Sequence, residues 1–101
     1  MSETKILAEH KHMLMISGNL SDFQITNMKT WPYIFFNNVE SVELDYDFSG
    51  FTMANVSPKP GQVVYNIKTS NLENIEQSKE MLESATKMLF WPETEVVINV
   101  V

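Results

Sequence analysis

The sequence predicts an α+β fold in a single domain over residues 1–101. An antiparallel or mixed sheet would carry one long C-terminal helix (71–90) and one short helix (about 22–30). Ser41–Phe48 alternates apolar and polar side chains with the period of a half-buried strand. After Ser70, apolar residues recur at helical spacing. Trp31-Pro32 and Trp91-Pro92 each follow a helical stretch and precede an apolar one, so the halves echo each other.

The N-terminal quarter supports two patterns. Ile6, Ala8, His10, His12, Leu14 and Ile16 alternate as a strand would, while Ile6, Leu7, His10, Met13 and Leu14 would form one helical face. A strand to about Ser17 is the expectation, with Gly18-Asn19 turning the chain. Ser21 and Gln24 have capping-box spacing, which starts a helix over Asp22–Thr30 that Trp31-Pro32 should stop. Tyr33–Phe36 then reads as an aromatic strand, and Asn37-Asn38 as a tight turn or bulge.

In the next strand Val42, Leu44, Tyr46 and Phe48 share one face, and Glu43, Asp45 and Asp47 the other. Ser49-Gly50 suggests a turn, Phe51–Val56 a strand and Ser57–Gly61 a loop, since its prolines cannot continue a ladder. Gln62–Thr69 is strand again. Ser70 with Glu73 suggests a second capping box. Leu72, Ile75, Leu82, Ala85 and Leu89 mark the apolar face of the helix, and Glu83 and Lys87 form an i,i+4 pair on it. Pro92 ends it, and Glu95–Val101 is a strand apolar on both sides. Two strand–helix–strand units in tandem would give the βαββαβ order of a ferredoxin-like sandwich.

Composition narrows the function. Thirteen acidic residues against seven basic ones give a net charge of −6. Every basic residue is lysine. Without arginine, the preferred group for bidentate phosphate and guanine contacts, no nucleic-acid partner is expected. No cysteine is present, which removes disulfides, thiolate catalysis and cysteine metal sites. No apolar run approaches the roughly 18 residues of a membrane span, and the N-terminus lacks a basic signal-peptide start. The expectation is therefore no membrane association and a cytoplasmic, intracellular location. Frequent asparagine and lysine-for-arginine usage suit an AT-rich genome such as many phages have, which would place the chain in a virion or infected cell.

The motifs that could carry chemistry are few. On a strand, His10 and His12 would face the same side and could meet one metal, but the sequence has no third histidine to complete a site. Asp45-Tyr46-Asp47-Phe48-Ser49-Gly50 matches the first half of a calcium loop, whose spacing converges alternate oxygens on one cation. Its twelfth position would be Val56 rather than glutamate, so Asp45 and Asp47 read better as the solvent face of a strand. No phosphate-binding glycine loop and no nucleophile elbow occurs, so no catalytic residue, metal or cofactor is expected.

The density of aromatic residues points instead to an interface. Trp31, Tyr33, Phe35, Phe36, Trp91 and Val97 are the candidate contact residues, on the aromatic strand and the C-terminal strand. The leading expectation is a non-enzymatic, acidic interaction or assembly protein that self-associates or binds a protein partner. The alternative is a small ligand-binding or enzymatic domain using His10 or His12. A third reading is an inhibitor that mimics nucleic-acid charge with Glu43, Asp45, Asp47, Glu76, Glu80 and Glu83.

Overall fold

Residues 3–49 and 61–101 are described by a computed structural model of the chain. The expected first strand is instead a helix, α1 (Glu3–Ser17). Leu7, His10, Lys11 and Leu14 turn inward at i, i+3, i+4 and i+7, and Leu14 is buried. Lysine, leucine, alanine, glutamate and methionine fill most of the segment, and these favour helix over strand. The apparent alternation arose because several apolar residues also sit two apart. Gly18 ends α1 at φ 76°, and its N–H donates to the Leu14 carbonyl at 2.8 Å.

α2 (Asp22–Phe35) opens with the expected capping box: the Ser21 hydroxyl accepts from Gln24 N, and Gln24 Oε1 accepts from Ser21 N. It continues past the expected stop at Thr30, with Pro32 inside it. Proline lacks the N–H that would reach the Met28 carbonyl, a cost of about 3 kcal/mol in a free helix. Here Gln24, Met28, Pro32 and Phe36 form one buried stripe at i+4 spacing, and their packing outweighs that cost. The aromatic run Tyr33–Phe35 is therefore the last turn of a helix and not a strand. Asn38, at φ 53°, makes the turn expected at Asn37-Asn38.

β1 (Val39–Asp47) and β2 (Gln62–Thr69) pair antiparallel, with a register shift between Val39 and Ser41. The Thr69 hydroxyl bonds the carbonyls of Asn37 and Asn38, which ties the entry of β1 to the end of β2. The expected turn at Gly50, strand at 51–56 and loop at 57–60 lie outside the described residues.

α3 (Ile75–Leu89) starts later than residue 71. The side chain of Asn71 accepts from Glu73 N at 2.9 Å, and Asn74 takes a left-handed φ of 54°. A residue in that region cannot lie within a right-handed helix, so Ser70 is not the cap. From Ile75 onward the expected face is present: Leu82, Thr86 and Leu89 are buried, and Lys87 meets Glu83 at 3.1 Å.

β3 (Glu95–Val100) follows the Trp91–Thr94 turn and runs parallel to β2. The sheet is mixed, in the order β1-β2-β3. The fold is thus α+β, with element order α-α-β-β-α-β among the described residues. The final β-β-α-β is compatible with a ferredoxin-like plan, although helices stand where that plan opens with a strand.

One sheet face carries the core. Val63, Tyr65 and Ile67 of β2 are fully buried and flanked by Leu44 and Ile98, with Leu82, Leu89 and Phe90 packed above. The Tyr65 hydroxyl lies 2.8 Å from Thr86 Oγ1 and links sheet to helix inside the core. Phe48 packs on Phe90 with ring centroids 4.5 Å apart. Gly61, at φ 83°, lies so close to the Phe48 ring that a Cβ there would collide with it. The other sheet face is mostly polar and is left open by the described residues. Gln62 Nε2 donates to Glu95 at 2.6 Å, and Asn99 Nδ2 to Asn66 at 3.0 Å.

Candidate functional site

The helices cover the sheet but leave a gap among themselves. A cleft of about 520 Å³ opens between them, lined by Ile6 and Leu7 of α1, Phe23, Asn27, Trp31 and Phe35 of α2, and Ala85, Met88 and Leu89 of α3. Asn27 is the single polar side chain in that lining.

The spacing of each helix explains the gap. Phe23, Asn27, Trp31 and Phe35 lie at i, i+4, i+8 and i+12 on α2, one row beside the buried Gln24–Phe36 stripe. The helix thus carries two adjacent rows, one on the sheet and one at the cleft. On α3, Ala85 and Met88 are similarly displaced from the row of Leu82, Thr86 and Leu89. Met88 is 65% exposed and Met81 47%, large apolar side chains held in water. Methionine is flexible and polarisable, so this stretch of the lining can adapt its shape.

The cleft continues at both ends. Between α1 and α3 the lining includes Lys11, His12, Met15 and Lys87; between α2 and α3 it includes Gln77, Glu80 and Met81. Met88 borders all these parts. Together these hollows make one apolar groove around Met88, bordered by Lys11 and the Glu83-paired Lys87 between α1 and α3 and by Glu80 between α2 and α3.

The candidate residues from the sequence are distributed as follows. Trp31 and Phe35 line the groove. Tyr33 is exposed on α2 beside exposed Ile34, away from it. Phe36 is 3% exposed and belongs to the core. Trp91 is half-buried against Phe90. Val97 is half-buried on the open sheet face, opposite Val64.

His10 and His12 do not converge. Two residues apart on a helix they point about 200° apart, so the shared strand face that made them candidate metal ligands does not exist. His10 stacks on Phe23 with centroids 4.4 Å apart, and its buried Nδ1 has no hydrogen-bond partner among the described residues. His12 borders the groove between α1 and α3. Asp45 and Asp47 occupy the open sheet face. Asp45 accepts from Tyr46 N, and Asp47 from Ser49 N at 2.9 Å and Ser49 Oγ at 2.7 Å, a local turn. Among the described residues no group of three or more His, Asp or Glu side chains is placed to hold a metal ion.

The groove was missed in the sequence because it belongs to no single element. The available signal was the second apolar row of α2, which became visible only once that segment was helical to Phe35. No helix among the described residues is long and apolar enough to cross a membrane. Searches against protein-family models, curated proteins and solved structures found no match to the chain.

Proposed function

We propose that this is a small, non-enzymatic interaction protein whose working surface is the groove across α1, α2 and α3. The observation that carries this reading is the lining: methionine, phenylalanine, tryptophan and leucine, with Asn27 the one polar group in the central cleft.

The occupant it fits is a helical segment of a protein partner. Such a helix would lay an apolar face into the groove, its electronegative C-terminus toward Lys11 and its N-terminus toward Glu80. Self-association, the other half of this reading, uses a different surface, the edge of the sheet. The charge-mimic reading is weaker, because Glu43, Asp45 and Asp47 lie on the open sheet face while Glu76, Glu80 and Glu83 ride on α3 across the sheet.

The test is an NMR titration of labelled protein with an alanine- and leucine-based amphipathic helical peptide as probe. Saturable shifts at Leu7, Asn27, Ala85 and Met88 are expected, lost in Met88→Glu and retained in Met88→Leu. Absence of saturable shifts, or shifts spread over the open sheet face, would refute the reading.

A further inference from the structure

We propose that β3 is a self-pairing edge, and that two copies of the chain join antiparallel along it about a two-fold axis at Ile98 to make one continuous sheet. This rests on the self-association reading above.

The hydrogen-bond phase of β3 is fixed by its ends: Glu95 N–H donates to the Gly61 carbonyl at 3.0 Å, and Val101 N–H to Ile67 at 2.9 Å. In a parallel ladder alternate residues of an edge strand bond inward, so Glu95, Val97, Asn99 and Val101 bond to β2. The N–H and C=O groups of Val96, Ile98 and Val100 therefore point outward, away from β2, and pair with no strand among the described residues. An unpaired row of this kind is a template for another strand.

Among the described residues the sheet has two edges, β1 and β3, and they differ. β1 carries exposed Glu40, Glu43, Asp45 and Asp47 and a register shift at its start, features that blunt an edge against pairing. β3 has no charged side chain from Val96 to Val100 and no proline or lysine. For a chain of net charge −6, a second copy is repelled over most of the surface, and the uncharged edge is where it can approach.

Self-complementarity selects the antiparallel register. Centred on Ile98, that residue faces Ile98 of the second copy, and Val96 faces Val100. These are the outward-bonding residues, so each facing pair exchanges both of its hydrogen bonds, about six in all. The two Glu95 side chains, the single charged side chains of the strands, end up about 20 Å apart along the sheet. A parallel pairing would set them side by side.

Sedimentation equilibrium and amide hydrogen exchange on the full chain test this. A mass of twice 11.6 kDa is expected, with exchange at Val96, Ile98 and Val100 slowing as concentration rises. Ile98→Pro removes an outward N–H that no strand among the described residues uses, and Val97→Lys adds a charge beside the axis on the open face. Each should return the mass to that of one chain, while Asp45→Lys on β1 should leave the dimer intact. A wild-type chain that stays monomeric would overturn both the pairing and the self-association reading. A dimer that persists in Val97→Lys and Ile98→Pro, with unprotected amides at Val96, Ile98 and Val100, would overturn the pairing alone.

Discussion

Replacing Thr86 by valine removes one hydroxyl from the centre of the core and leaves the shape of the side chain almost unchanged. Thr86 and Tyr65 are both fully buried. The Thr86 hydroxyl donates to the Leu82 carbonyl at 2.7 Å, so in the 2.8 Å contact the Tyr65 O–H must donate to Thr86 Oγ1. In Thr86→Val that phenol is a buried donor with no acceptor, which costs about 1–3 kcal/mol. Tyr65→Phe leaves Thr86 bonded to Leu82 and wastes only a lone pair, a cost of about 0.5–1.5 kcal/mol. The double variant orphans nothing and should cost less than the sum, with a coupling of about 1 kcal/mol. Urea denaturation of the four proteins measures this, and each kcal/mol corresponds to about 4–8 °C in Tm at this size.

A pH profile provides a second readout of the same pair. Burial pushes the Tyr65 phenol up to about 12 from its ordinary value of 10.0. The folded state therefore holds the proton more tightly than the unfolded chain. This contribution, about 2–3 kcal/mol, is fully present below about pH 10 and is lost as pH rises toward 12. Tyr65→Phe should flatten that alkaline loss. Strict additivity in the cycle, together with an unchanged alkaline slope in Tyr65→Phe, would refute the assigned bond.

The remaining predictions concern other parts of the molecule. Gly61→Ala should cost at least about 2 kcal/mol, since its Cβ would meet the Phe48 ring at a left-handed φ; thermal denaturation checks it, and an unchanged Tm would contradict the packing. Ser21→Ala removes half of the capping box and should cost about 1 kcal/mol by urea denaturation, with no loss meaning that α2 starts elsewhere. Met88→Glu should change stability by no more than about 0.5 kcal/mol, because the side chain is mostly in water. A large loss in its urea midpoint would make Met88 part of the core and remove it from the groove.

How much of this was legible in the sequence follows from where local and tertiary forces agree. β1 and the capping box of α2 were readable because alternation and cap spacing depend on near neighbours alone. Pro32 misled for a physical reason: its local cost is overcome by packing on the Met28–Phe36 stripe, which no local rule contains. That one boundary also changed the aromatic run from a strand to the last turn of a helix. In α1, apolar residues fit two periods at once, and contacts with the neighbouring helices decided between them. Ser70 and Glu73 had the right spacing for a cap, but Asn71 and Asn74 divert the chain first. Aromatic density in the sequence singled out Trp31 and Phe35, and both line the groove. Their meeting with Ile6 and Met88 was not legible, since it depends on how the helices pack.

Native mass spectrometry of the unmodified chain tests the central claim most directly, that this molecule works by association and not by chemistry on a small ligand. The account predicts a dimer with no added mass, in equilibrium with single chains as the protein is diluted. A monomer that retains a small molecule or ion at every concentration would contradict it.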